Sequence, residues 1–152
     1  MINPQVRQHN SSVIPSKWRL FDYRDARNEN IILNWLNDLQ KPDRARMDRK
    51  LQALQDNGPN LSSELLSDTP SRHIKKIRLN GRVAPRLLLC RGPVVMDGEF
   101  TLLFGATERD RKFVPPNAIG IADENRDRVV ADPVHRRVNH DFTSAIARQP
   151  AR

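Results

Sequence analysis

The stretch that decides the fold runs from residue 72 to residue 92, RHIKKIRLNGRVAPRLLLCRG. Two strand-like runs, residues 72 to 79 and 83 to 90, flank Asn80-Gly81. That dipeptide tolerates the positive φ of a tight two-residue turn, so it reads as the tip of a β-hairpin. Leu87, Leu88 and Leu89 stand in a row, which suits a central strand covered on both faces. On the first run, alternation sends Ile77 and Leu79 to one face and Arg72, Ile74, Lys76 and Arg78 to the other. Pro85 cannot donate a ladder hydrogen bond and predicts a local irregularity in the second strand.

Downstream of this hairpin, Met96-Asp97-Gly98 predicts a turn and residues 99 to 106 a further strand. Pro115-Pro116 introduces a last helix over residues 117 to 131, with Ala118, Ile121, Ala122 and Val129 as its apolar face. Upstream, residues 18 to 23 alternate loosely and predict a first strand. Ile31, Ile32, Trp35, Leu36 and Leu39 then form one helical face, with Asn28 or Asn30 as N-cap. Pro42 suits the first turn of a second helix carrying Met47, Leu51 and Leu54, and Gly58-Pro59 stops it. Two helices so closely joined predict an antiparallel hairpin. The order is β-α-α-β-β-β-α: an α+β domain in which a helical hairpin packs on a mainly antiparallel, four-stranded sheet.

At 152 residues the chain accommodates one core, placed at residues 18 to 133. Residues 1 to 17 lack a helical or strand period and predict a flexible arm, and residues 134 to 152 a basic tail with little to pack. The single cysteine, Cys90, excludes a disulfide framework and a cysteine-rich zinc site. No run approaches the roughly 20 apolar residues of a membrane span, and no signal-peptide pattern is present. The expectation is a soluble, cytoplasmic protein without a membrane partner.

The formal net charge is +8, and residues 72 to 152 hold 16 Lys and Arg against 9 Asp and Glu. Between residues 72 and 92, Arg72, Lys75, Lys76, Arg78, Arg82, Arg86 and Arg91 stand without one acidic residue. Such a segment suits a polyanion, nucleic acid first among them, or else the solvated side of an exposed sheet. Exposed aromatics are too few for base stacking, which predicts phosphate-directed, salt-sensitive binding. RNA can be cut without a metal when a 2′-OH attacks the adjacent phosphate. The reaction needs a proton acceptor, a proton donor and fixed positive charge on the developing oxyanion. Crowding and burial disfavour a lysine's charged form, so Lys76 is the candidate base. A passive phosphate-binding face needs the same residues without that tuning.

The succession of a helical hairpin, Lys76-Ile77-Arg78-Leu79, a turn, Arg86 before three leucines, Leu102-Leu103-Phe104-Gly105-Ala106, the basic knot of residues 109 to 112, Pro115 and a final helix resembles the RelE/ParE superfamily of bacterial toxins. It most resembles the HigB-type and phage-derived toxins and covers residues 18 to 132. The resemblance implies the toxin of a type II toxin–antitoxin system. Such a toxin is a ribosome-dependent endoribonuclease cutting mRNA, needs no metal or cofactor, and is neutralised by a cognate antitoxin through which alone it meets operator DNA. By position it implies that Lys76, Arg78, Arg86 and Arg109 are catalytic: Lys76 as base, the arginines on the scissile phosphate. His73, Lys75, Arg82, Arg111 and Lys112 are the candidate RNA contacts around them.

The segment where many ribonuclease members carry Tyr or His reads Phe113 and Pro115 here, and the position before the third-strand arginine is Pro85. Two other functions follow from the same resemblance: a gyrase inhibitor of the ParE kind, and an inactive relative that binds RNA or protein. Glu108 and Asp110 flank Arg109 and are expected to pair with arginines, Glu108 being the reserve acid or base. His135 and His140 lack further metal ligands in the sequence, and Cys90, Trp18 and Trp35 are expected in the core.

Overall fold

The computed structural model describes residues 17 to 60, 65 to 81 and 83 to 142. The expected arm up to residue 16, Arg82 and residues 143 to 152 lie outside them. The elements are β1 (Arg19–Tyr23), α1 (Ile31–Asp38), α2 (Lys41–Asn57), β2 (Ser67–Asp68), β3 (Lys75–Arg78), β4 (Val83–Arg91), β5 (Glu99–Arg109), β6 (Lys112–Val114), α3 (Ala118–Ala131), α4 (Pro133–Arg136) and β7 (Arg137–Asn139). Both hairpins centred on the decisive stretch form: β3 with β4 and β4 with β5 are antiparallel.

The helical hairpin begins with Asn30, whose side chain accepts from the Leu33 N–H, the N-cap arrangement that satisfies one orphan helical donor. Ile32 and Leu36 of α1 and Met47, Leu51 and Leu54 of α2 are fully buried. Gly58 ends α2 at φ 61, and a Cβ there would lie 2.5 Å from the Trp18 indole nitrogen. Only glycine suits both the backbone angle and the close approach. Trp35 lies flat enough against Gly105 of β5 that a Cβ would fall 2.0 Å from its ring. The hairpin thereby carries the chain from β1 to the far side of the sheet, and β1 pairs parallel with β5.

The sheet is open and mainly antiparallel, in the order β2-β3-β4-β5-β1-β7, with β6 paired to β5 beyond the end of β1. Three of these strands exceed the four expected. β2, β6 and β7 are two or three residues long, too short to show a period of two. The strand predicted from residue 72 starts only at Lys75, and Ile74, expected outward, is fully buried just before it. The irregularity predicted at Pro85 falls between Leu88 and Leu89 instead, while Pro85 keeps its register opposite Thr107.

The segment after residue 133 packs, contrary to the expectation for the tail. β7 pairs antiparallel with β1, and His140 Nδ1 lies 2.8 Å from Asp22 Oδ1 with both side chains buried. Arg137 donates to Glu99 Oε2 at 2.7 Å and lies over the Phe21 ring. Polar pairing, invisible to an apolar period, holds this edge. In α3, Ala118, Ala122 and Val129 are buried as expected, but Asn125 rather than Ile121 completes the stripe, donating to the Leu103 carbonyl at 2.9 Å.

Candidate functional site

Strand register assembles the site. Arg78 stands opposite Arg86, Lys76 opposite Leu88, and Arg86 opposite Ala106. Residues directly opposite share a face and alternate positions do too, so Lys76, Arg78, Arg86 and Glu108 emerge on one side of the sheet. Arg86 Nε donates to Glu108 Oε1 at 2.6 Å, and its Nη1 donates to the Leu79 and Pro85 carbonyls at 2.8 and 3.0 Å. Lys76 Nζ lies 3.8 Å from the same Glu108 oxygen and 5.5 Å from the centre of the Phe113 ring. Burial pushes the Glu108 carboxyl up, but the Arg86 hydrogen bond and the charges of Lys76, Arg86 and Arg78 outweigh it and hold the group below its ordinary value. These side chains, with Gly81, Asp110 and Arg111, line a hollow of about 370 Å³.

Arg111 enters this hollow and Arg109 does not. Glu108 occupies the site face of β5, so its neighbour Arg109 turns to the other face by the strand's period of two. Arg109 and Lys112 pair across the β5–β6 hairpin, and both line a different hollow with Phe113, Val114 and Pro116. The two residues at the hairpin tip, Asp110 and Arg111, have φ 52 and 68. Positive φ at both central positions is what a type I′ turn requires, and it swings Arg111 back over the site. The expectation that Arg109 would join the other three cations is therefore corrected: Arg111, expected only as an RNA contact, lines that hollow instead.

Glu108 pairs with an arginine, as expected from the sequence, and stands at the centre of the hollow. Its signal was its parity with Arg86 once the hairpin register is known. Phe113, opposite Glu108 on β6, fills the neighbourhood with a ring that offers Lys76 a cation–π surface and no proton. Among the lining side chains the carboxylates of Glu108 and Asp110 are the only acceptor oxygens.

The remaining sequence candidates fall elsewhere. Lys75 neighbours Lys76 on β3 and so points to the opposite face; with His73 it lines a third hollow and is ion-paired to Asp68. Arg82 lies outside the described residues. Cys90 is a core residue whose thiol burial pushes up to about 12, which removes nucleophilic thiolate at neutral pH. His135 pairs with Asp132 and His140 with Asp22, and no metal-binding cluster of His, Cys, Asp and Glu occurs among the described residues.

These features define an α+β protein whose open, mainly antiparallel sheet carries a cationic hollow organised around one carboxylate. The chain matches no protein-family model, no curated protein and no solved structure. Among the described residues, no helix is long and apolar enough to cross a membrane.

Proposed function

We propose that this protein is the toxin of a type II toxin–antitoxin pair, resembling the RelE/ParE superfamily, and cuts mRNA on the ribosome by 2′-OH attack. The observation that carries this reading is the shared hollow of Lys76, Arg78, Arg86 and Arg111 around Glu108. The order of the elements also supports it: a helical hairpin joins β1 to the far side, and β1 pairs parallel with β5 beside the antiparallel β3-β4-β5 meander.

In this mechanism Arg78 and Arg111, with no ion pair among the described residues, hold the scissile phosphodiester and stabilise its added negative charge. Glu108 accepts the 2′-OH proton as the 2′ oxygen bonds to phosphorus. Lys76, expected from the sequence as the base, is paired with that carboxylate and takes the acid's part instead: it donates a proton to the departing 5′ oxygen, leaving a 2′,3′-cyclic phosphate and a 5′-OH. Arg86 is a positioning residue, because its bonds to two carbonyls and to Glu108 fix the carboxylate rather than leave a fork for substrate. An acidic antitoxin covering the hollow would block all of these contacts.

A second reading, binding of RNA without cleavage, is favoured by that engagement of Arg86 and by the lack of an imidazole or hydroxyl among the lining side chains. Induced expression of the chain, followed by growth, translation and mapping of message ends, tests both. Growth arrest with new message ends, abolished by Lys76→Ala and by Arg78→Ala in proteins with unchanged circular dichroism, is expected. Intact message with salt-dependent RNA binding selects the second reading; neither arrest nor RNA binding overturns both.

A further inference from the structure

The other large hollow, at the opposite end of β3, is also cationic. It measures about 690 Å³ and draws Arg72 and His73 from the loop before β3, Lys75 from β3, Arg91 from the end of β4 and Arg126 from α3. Against these four Lys and Arg residues, the lining among the described residues offers a single carboxylate, Asp68. Two of the cations already have partners: Lys75 with Asp68, and Arg91 with Asp97 and the Met96 carbonyl. Arg72 and His73 form no side-chain hydrogen bond or ion pair among the described residues. Arg126 keeps its side chain four-fifths buried, pairs loosely with Asp127 at 3.8 Å, and leaves its Nε buried without a hydrogen-bond partner among the described residues.

Bringing these charges together from four segments is unfavourable unless something negative shares them, and a buried guanidinium nitrogen without an acceptor is costly in the same way. Arg72 is the one of the four left without a carboxylate partner among the described residues, and a phosphate matches the guanidinium forks of Arg72 and Arg126. The rest of the wall is formed by Ser67 and the apolar side chains of Phe100, Met96, Leu66 and Pro59. The Met96 sulfur passes so close to Gly92, where φ is 73, that a Cβ there would lie 2.6 Å from it. The volume falls in the range of small-ligand sites, ~300–1,000 Å³.

We infer that this hollow is a nucleotide site: Arg72 and Arg126 bind the phosphate, and Met96 with its apolar neighbours holds the base. Its ligand is a phosphate monoester of a nucleoside, free or at the 5′ end of an RNA strand. Lys75 and Lys76 face opposite ways on β3, so the site is separate from the one proposed for cleavage and stands independently of it.

Isothermal titration of the full chain with AMP, in a Lys76→Ala/Arg78→Ala background that disables the other hollow, tests the inference. Saturable binding is expected, weakened at least tenfold by Arg72→Glu and by Arg126→Gln. Arg72 is exposed, so its variant decides the matter if Arg126→Gln misfolds. Orthophosphate must bind more weakly than AMP. A 5′-phosphorylated tetranucleotide that binds as tightly as AMP assigns the source to an RNA end, and binding of AMP alone assigns it to free nucleotide. Absence of AMP binding at millimolar concentration, orthophosphate as tight as AMP, an unchanged affinity in Arg72→Glu, or capture of an acidic peptide in place of AMP overturns it.

Discussion

Arg86 and Glu108 lock β4 to β5 through a 2.6 Å charge-assisted hydrogen bond on the face that carries the cationic hollow. Neither residue is free to act alone. The carboxylate organises two cations, and the guanidinium is spent on three protein acceptors.

Glu108→Gln removes the charge while keeping the shape. With Arg86 and Lys76 left uncompensated, stability at pH 7 falls by about 1–3 kcal/mol. Because the folded carboxyl lies below its ordinary value of 4.5, its contribution is complete above that pH and disappears as pH falls through the folded pKa. Melting temperatures of wild type and variant therefore separate near neutrality and converge in acid; a gap that stays constant down to pH 3 contradicts the assignment.

Arg109→Ala and Arg111→Ala separate the two faces of the β5–β6 hairpin. The Arg111 variant weakens binding of a short single-stranded RNA and lowers the slope of log affinity against log salt by about one contact, ~0.7. The Arg109 variant leaves both close to wild type. Filter binding at several salt concentrations distinguishes them, and the reverse ranking would place the site on the wrong face.

Arg111→Gly tests a trade between backbone strain and charge. At φ 68 a side chain costs roughly 1 kcal/mol that glycine does not. Chemical denaturation should find the glycine variant more stable than Arg111→Ala by about that amount, with RNA binding equally impaired in both.

Gly105→Ala drives a methyl into the Trp35 ring. Overpacking of this kind costs about 1–3 kcal/mol or more, and here it strikes the contact that docks α1 on the sheet. A thermal melt unchanged by the substitution would show that the helix docks otherwise.

Truncation after residue 136 removes Arg137 and His140, leaving Glu99 and Asp22 buried without those partners. Loss of a charged hydrogen-bond partner costs about 1–3 kcal/mol at each carboxylate. His140→Ala alone should reproduce part of the loss. A truncated chain as stable as the full one would restore the picture of an unpacked tail.

The hairpin of β3 and β4, the two helices, the stop at Gly58, an asparagine N-cap at residue 28 or 30 and Pro42 in the first turn of α2 were legible in the residues themselves, because turns, caps and apolar periods act within a few positions of the chain. So was the concentration of positive charge after residue 71. The short strands β2, β6 and β7 were not legible, since two or three residues carry no period and pair only because a longer strand lies beside them. Nor was the company each cation keeps. A strand reverses its side chains at every residue, so Lys75 and Lys76, or Glu108 and Arg109, part to opposite faces. Only the register of β4 on its neighbours, and the backward twist at Asp110 and Arg111, determined that Arg111 and Glu108 would meet Lys76, Arg78 and Arg86 in one hollow.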